Sequence, residues 1–230
     1  MTDRSNQTSS KHPEDRLDGA IDGALHLLDR QVIDSEGGLC GKVDDVELTD
    51  ERDGLEITGL LTGAAALLPR IGGAVAHHWR ELKPAEPLRA RPWRIDMSDV
   101  DHLDSAVHLS VPRAGALRKD RDGLRLSNLT GMDVLGPDGT RLGRVLDVRF
   151  RPGGDRRLVL RSLIVGRGRP GSLLGYDRRG DQGPWLVRTV VRRLHRHTVI
   201  ALATQARIDW EGKTVKLDQV PHDSPGPAFD

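Results

Sequence analysis

The stretch at residues 132–150, MDVLGPDGTRLGRVLDVRF, contains two apolar runs separated by the turn sequence Gly-Pro-Asp-Gly. An Asp-Gly pair between apolar runs is typical of a β-hairpin, because glycine tolerates the positive φ that tight hairpin turns require. The stretch therefore predicts two short antiparallel strands with Gly139 in the turn.

The same pattern occurs once more, at residues 32–48, as VIDSEGGLCGKVDDVEL. Val32 aligns with Val134 at an offset of 102 residues. The same offset aligns the glycines and aspartates of the two stretches, which are Gly37, Gly41 and Asp45 in the first and Gly139, Gly143 and Asp147 in the second. A sequence unit that occurs twice in 230 residues predicts two small domains rather than one large one.

The alternation of apolar and polar residues shifts by one position within the strand that follows each turn. Val43 lies an odd number of residues from Val46 and Leu48, so it would face the other side of a regular strand. The second copy repeats this slip in apolar phase. A β-bulge near Gly41 and Gly143 would produce this slip and would sharpen the bend of a small barrel. We interpret the repeated Gly/Asp pairs as scaffold, with the aspartate tying a strand end to backbone donors, rather than as a contact loop.

Each copy continues with a third strand, a short helix and a final hairpin. These elements are predicted at residues 55–62, 71–82 and 94–109 in the first copy and at 158–165, 184–195 and 199–217 in the second. Short strands separated by glycine-rich turns predict a small closed or nearly closed barrel in each copy.

These patterns divide the chain into five segments. A disordered or weakly helical segment at residues 1–26 precedes a first domain at 27–109, a linker at 110–125, a second domain at 126–217 and a flexible tail at 218–230.

The sequence DGTRLGRVLDVRF at residues 138–150, followed by an apolar third strand, resembles the PRC-barrel family, and residues 32–48 carry a weaker form of the motif. The resemblance implies a mainly β fold of two tandem small PRC-like β-barrels, each with a short helix, related by pseudo-twofold symmetry. PRC-barrels occur in the H subunit of photosynthetic reaction centres and at the C-terminus of a ribosome maturation factor. Family members are generally interaction modules without catalysis.

The later part of the second copy, residues 173–195, is similar to an actinobacterial-type subgroup of PRC-barrel proteins. Some members of that subgroup occur beside regulatory domains of magnesium transporters. The similarity therefore implies one further alternative, a regulatory module linked to magnesium transport.

The net charge is +1, but residues 1–60 carry 15 Asp and Glu against 6 Lys and Arg, whereas residues 139–196 carry 15 Arg against 4 Asp. Three arginines recur at helical spacing within residues 184–197 and would share one helix face. With their neighbours they form the candidate partner-binding set, which is Arg178, Arg179, Arg188, Arg192, Arg193 and Arg196. Such a face is either solvated or offset by an acidic protein, RNA phosphates or anionic lipid.

Motifs for catalysis are absent from the sequence, which has no glycine-rich phosphate loop, no Gly-x-Ser-x-Gly and no useful Cys–His pairing. The histidine pairs His77/His78 and His195/His197 lack a third ligand, so no metal site and no cofactor are predicted. The N-terminus does not resemble a signal peptide, and the single cysteine, Cys40, has no internal disulfide partner. Both features favour the cytoplasm.

The sequence thus predicts a cytoplasmic, non-enzymatic protein-binding or adaptor module whose arginine-rich face contacts an unidentified acidic protein. The main alternative is an RNA- or ribosome-associated factor that uses the same basic face. An anionic membrane surface and a homo-oligomer of this chain rank behind these two partners.

Overall fold

The computed structural model describes residues 19–71, 91–120, 123–153, 157–166 and 198–221, and within 68–71 it describes the backbone alone. The fold is mainly β, as the sequence predicted, and the strands form two sheets. The helices predicted at residues 71–82 and 184–195 lie outside the described residues, apart from Ile71.

Within the described residues, the first copy and the segments around it contain nine strands. These are β1 (Ile21–Asp22), β2 (Gln31–Ile33), β3 (Leu39–Lys42), β4 (Asp45–Glu51), β5 (Gly54–Thr62), β6 (Trp93–Asp96), β7 (Val100–Leu103), β8 (Val107–Leu109) and β9 (Arg118–Lys119). The helical elements are a π-helical turn at Gly23–Leu27, α1 (Ala64–Ile71), a 3₁₀ turn at Met97–Asp99 and α2 (Arg113–Ala116).

The second copy repeats this series with fewer breaks. Its elements are β10 (Leu124–Arg125), α3 (Leu126–Leu129), β11 (Asp133–Leu135), β12 (Arg141–Pro152), β13 (Leu158–Gly166), β14 (Val199–Leu202), a 3₁₀ turn at Ala203–Gln205, β15 (Ala206–Asp209) and β16 (Thr214–Leu217). The long strand β12 occupies the place of β3 and β4 together. The predicted linker at 110–125 contains α2, β9 and β10.

The strands of the two copies neighbour each other in the same order. In the second copy the order is β15-β16-β11-β12-β13-β14, and in the first it is β7-β8-β2-β3 followed, after the break, by β4-β5-β6. A parallel pair lies at the same place in each, β2 with β8 and β11 with β16. The order of neighbouring strands is therefore similar in the two parts of the chain, although β3 and β4 belong to different sheets and β12 is continuous.

Neither sheet closes into a barrel within the described residues. The strands at the two ends of each copy's order follow one another in the chain, as β6 and β7 or as β14 and β15. Each such pair is joined by a 3₁₀ turn instead of by a ladder of hydrogen bonds. The closed barrels expected from the sequence are therefore not observed. Each copy instead has an open order of strands, in which the chain bends at the 3₁₀ turn between the two end strands.

Two short arms are exchanged between the copies. The first arm, residues 19–30, precedes the first copy but pairs through β1 with β12 of the second copy, with Ile21 opposite Phe150. The second arm, residues 123–131, precedes the second copy but pairs through β10 with β4 of the first copy, with Leu124 opposite Leu48. Leu48 and Phe150 are aligned residues of the repeat, so the two exchanges are equivalent.

The charges on the two arms are reversed. Asp22 of the first arm receives two hydrogen bonds from Arg149, at 2.6 and 3.0 Å. At the equivalent place, Arg125 of the second arm lies opposite Glu47. If each arm packed on its own copy, Asp22 would meet Glu47 and Arg125 would meet Arg149, so like charges oppose that alternative.

The arms enclose one apolar core that draws on both copies. Leu27 of the first arm, Leu126 of the second and Phe150 of β12 are fully buried. The arms approach closely, because a Cβ added at Gly23 would lie 3.0 Å from side-chain atoms of both Leu126 and Phe150. The copies also share an antiparallel contact between β5 and β13, where Glu56 lies opposite Val159.

Register shifts lie beside the repeated glycines. Val32 faces Gly41 and Val134 faces Gly143, and in both hairpins the next pair skips one residue of the longer strand. The structure therefore has a β-bulge next to each of these glycines, where the slip in apolar phase predicted one. A Cβ at Gly143 would lie 2.6 Å from the carbonyl oxygen of Gly166 on β13.

We expect Gly143→Ala to lower the free energy of unfolding by about 1–3 kcal/mol, because the methyl group forces β12 away from β13. Urea denaturation checks this. Gly115→Ala is the matched control, since nothing lies within 4 Å of a Cβ there. Helix propensity makes that change neutral or stabilising by up to about 1 kcal/mol. Equal urea midpoints for the two variants would contradict the close approach of Gly143 on β12 to Gly166 on β13.

Candidate functional site

The carboxylate of Asp147 binds the first arm. Its Oδ1 accepts hydrogen bonds from the N–H groups of Ala24 and Val148, both at 2.7 Å, and its Oδ2 accepts from the N–H of Leu25 at 3.1 Å. Burial raises the pKa of Asp147 to about 6, and the nearby Asp22 adds to the rise while the backbone donors oppose it. One side chain of the second copy thus fixes the helical turn that leads into the first copy.

The carboxylate of Asp45 binds the second arm in the equivalent way. It accepts from the N–H of Val46 at 2.8 Å, from the N–H of Ser127 at 3.1 Å and from the Ser127 hydroxyl. Asp45 is fully buried, and this burial raises its pKa, while the bonds from Ser127 lower it in part. The repeated aspartate therefore binds the beginning of a short helix on the other copy's arm in both places.

The residues of the predicted Gly/Asp motif lie at hairpin turns, beside β-bulges and at the contacts with the two arms. Gly37 and Gly139 occupy the hairpin turns with the same φ of 82°. Gly41 and Gly143 adjoin the bulges, and the aspartates hold the exchanged arms. The glycines thus shape a hairpin within each copy, and the aspartates connect the two copies.

The six arginines of the predicted partner-binding set lie outside the described residues. They are Arg178, Arg179, Arg188, Arg192, Arg193 and Arg196. Their role remains a prediction.

A second basic surface lies on β12 and β13 within the described part of the chain. It consists of Arg151, Arg161 and Arg149, the last of which is paired with Asp22, and we call it the basic face. Arg151 and Arg161 are exposed, and neither makes an ion pair with another described residue. Arg161 is the extra residue of a bulge, because Phe150 faces Leu160 and Arg149 faces Ser162.

The equivalent surface of the first copy carries no arginine at the matched positions. Glu47, Thr49 and Thr58 stand where the basic face has Arg149, Arg151 and Arg161, and Thr58 is again the extra residue of a bulge. Thr58 donates a hydrogen bond from its hydroxyl to Glu47 at 3.1 Å. The same scaffold position thus carries acidic and neutral residues in one copy and arginines in the other.

A groove of about 470 Å³ follows this first-copy surface. Arg94 in its wall donates to Glu47, to Asp96 and to the carbonyl oxygen of Thr58. Arg118 makes a further ion pair with Asp96. The charges of the groove are therefore largely neutralised by one another, which sets it apart from the basic face.

Two histidines and an aspartate meet at the hairpin of β7 and β8. His108 Nε2 lies 3.0 Å from Asp104 Oδ1, and His102 Nε2 lies 3.7 Å from Asp104 Oδ2. The two imidazole rings are stacked, with centroids 4.3 Å apart and planes within 5°. Partial burial raises the pKa of Asp104, but the N–H of Ala106 and the two histidines outweigh this and hold it below the ordinary value.

The sequence pattern did not point to this cluster. The histidine pairs weighed as ligands, His77/His78 and His195/His197, are adjacent or two residues apart, whereas these ligand-type residues follow the spacing His-x-Asp-x₃-His across a tight turn. The available signal was the final hairpin itself, which was predicted at residues 94–109 and brings residues of its two strands together.

Comparison with known proteins does not assign the chain. No protein-family model matches it, and no curated protein is significantly similar to it. Among the described residues, none of the helices combines the length and the apolar composition that crossing a lipid bilayer requires.

We expect Asp147→Ala to lower the free energy of unfolding by about 2–4 kcal/mol, because three backbone N–H groups lose a partly buried acceptor. Urea denaturation followed by circular dichroism checks this. Asp138→Ala is the control, since Asp138 is exposed and accepts only within its own turn, from Thr140. A cost at Asp147 no larger than at Asp138 would contradict the assigned role.

Proposed function

We propose that the chain is a non-enzymatic binding or adaptor module of PRC-barrel-like type. In this proposal, two small barrel-like units are related by pseudo-twofold symmetry, and the second unit presents its arginines to an acidic protein partner. The observation that carries the proposal is the contrast between the basic face and its counterpart in the first copy.

The repeat itself supports a division between scaffold and surface. Positions that match between the copies, such as Asp45 and Asp147, are used inside the molecule. Positions that differ in charge, such as Thr58 and Arg161, lie partly or fully exposed on the neighbouring strands β5 and β13. A duplicated scaffold needs only one version of such a surface to fold, so the divergence is best explained by contact with something outside it.

The chemistry of the basic face favours an acidic protein. Arg151 and Arg161 project from neighbouring strands, and guanidinium groups bind carboxylates through paired hydrogen bonds. Recognition of single-stranded RNA would also use exposed aromatic rings for stacking. The strands β12 and β13, described along their full length, contain one aromatic side chain, Phe150, and it is buried.

The predicted arginines of residues 178–196 lie outside the described residues, between β13 and β14 in the chain. The proposal treats them as a second group of candidate contacts with the same acidic partner.

We expect Arg151→Glu/Arg161→Glu to reduce capture of the partner from lysate of the native cells by more than about tenfold, because each reversal replaces attraction by repulsion. Arg188→Glu/Arg192→Glu/Arg196→Glu should act in the same direction. Immobilised full-length chain, crosslinking and mass spectrometry measure the capture.

The control for this experiment is Arg207→Glu/Lys213→Glu, which makes the same change in net charge at exposed residues of the last hairpin. This variant should retain capture. Loss of capture in the control would contradict a binding role for the basic face. Capture that persists in both reversal variants would contradict it as well. Capture abolished by nuclease would transfer the assignment to RNA, and size-exclusion chromatography showing a charge-dependent oligomer would transfer it to another copy of this chain.

A further inference from the structure

The hairpin of β7 and β8 carries metal-ligand chemistry that the proposed function does not use. His102 and His108 face each other directly in the strand register, and Asp104 lies in the turn between them. Donor atoms of the three side chains all lie within 4.8 Å of one another. We propose that His102, Asp104 and His108 bind one divalent transition-metal ion of the Zn²⁺ type.

The separations fit such an ion. Zn²⁺ binds histidine nitrogen and carboxylate oxygen at about 2.0–2.2 Å, which in tetrahedral geometry sets ligand atoms about 3.3–3.6 Å apart. The distances from Asp104 oxygens to His108 Nε2 and His102 Nε2, 3.0 and 3.7 Å, bracket that spacing. The two distances involve different oxygens of Asp104, and all donor atoms lie within 4.8 Å of one another, so rotation of the side chains would bring the three groups around one ion.

The orientation of His102 is fixed by a neighbouring carboxylate. Asp101 Oδ2 lies 2.8 Å from His102 Nδ1, which leaves Nε2 directed toward Asp104. A carboxylate on the far nitrogen is the usual support of a metal-bound histidine, because it fixes the ring and its tautomer. Asp101 holds this position as the extra residue of a bulge, since Val100 faces Leu109 while His102 faces His108.

The second copy shows that the scaffold does not require these residues. Arg207 and Lys216 face each other where the first copy has His102 and His108. Asp209 occupies the place of Asp104 and accepts from the N–H of Gly212 within its own turn. The second copy also has no counterpart of Asp101, because Ala206 and Arg207 face the consecutive residues Leu217 and Lys216. The two histidines and the supporting aspartate are thus specific additions to the first copy.

The ligand set selects the class of ion. Two imidazoles and one carboxylate suit Zn²⁺ and its transition-metal neighbours, whereas Mg²⁺ and Ca²⁺ prefer oxygen ligands alone. The side chains of His102 and His108 keep 16% and 23% of their exposure, so the hairpin is open to solvent on one side. A fourth coordination position is therefore accessible to water or to a ligand from another molecule.

The test measures binding of Zn²⁺ to the full-length chain after removal of metal by a chelator. Isothermal titration calorimetry and equilibrium dialysis should give one site lost in His102→Arg/His108→Lys, which installs the residues of the second copy. Substitution with Co²⁺ should give the visible absorption of a low-symmetry site in the wild type and none in that variant. Mg²⁺ should give no binding at this site.

Two further variants keep the result independent of folding defects. Asp101→Asn retains both histidines and should weaken Zn²⁺ binding by about 10–100-fold, as loss of a supporting carboxylate does elsewhere. His77→Ala/His78→Ala should leave the site unchanged. The proposal is overturned if the wild type binds no Zn²⁺, if His102→Arg/His108→Lys binds it equally well, or if binding is lost only in His77→Ala/His78→Ala.

Discussion

The structure depends on two carboxylates, Asp45 and Asp147, each of which binds an arm that leads into the other copy. The hydrogen bonds run from backbone N–H groups at Ser127 and at Ala24 and Leu25, all at the start of a helical turn. Because each arm also contributes apolar side chains to the shared core, neither copy encloses its core alone. The raised pKa of both aspartates follows from this burial.

The residues that the two copies share have a different role from the residues in which the copies differ. The Gly/Asp motif is used for turns, bulges and arm binding, so it carries no information about partners. The differences lie elsewhere, at the bulges of β5 and β13 where Thr58 is matched by Arg161 and at the last hairpin where His108 is matched by Lys216. Each difference is a change of side-chain chemistry at matched positions of the two copies, and this is where the proposed binding sites lie.

The sequence predicted those features that depend on local pattern. The hairpins, the third strands, the repeated bulges and the aspartate that ties backbone donors all follow from turn residues and from apolar phase. The arm exchange was not predicted, because pairing of Ile21 with Phe150 joins residues far apart in the chain and the arm itself reads as a weak helix. The histidine cluster was missed for a related reason, since it depends on strand register and on the bulge at Asp101.

The most direct test of the interlocked copies is equilibrium unfolding in urea, observed separately in each copy. Two single-tryptophan variants serve as probes, one keeping Trp93 on β6 and one keeping Trp210 beside β15, with Phe at the other tryptophan positions. The account predicts one common midpoint for both probes, and an equal shift of both when Asp147→Ala is added. Separate transitions, or a shift seen by only one probe, would contradict it.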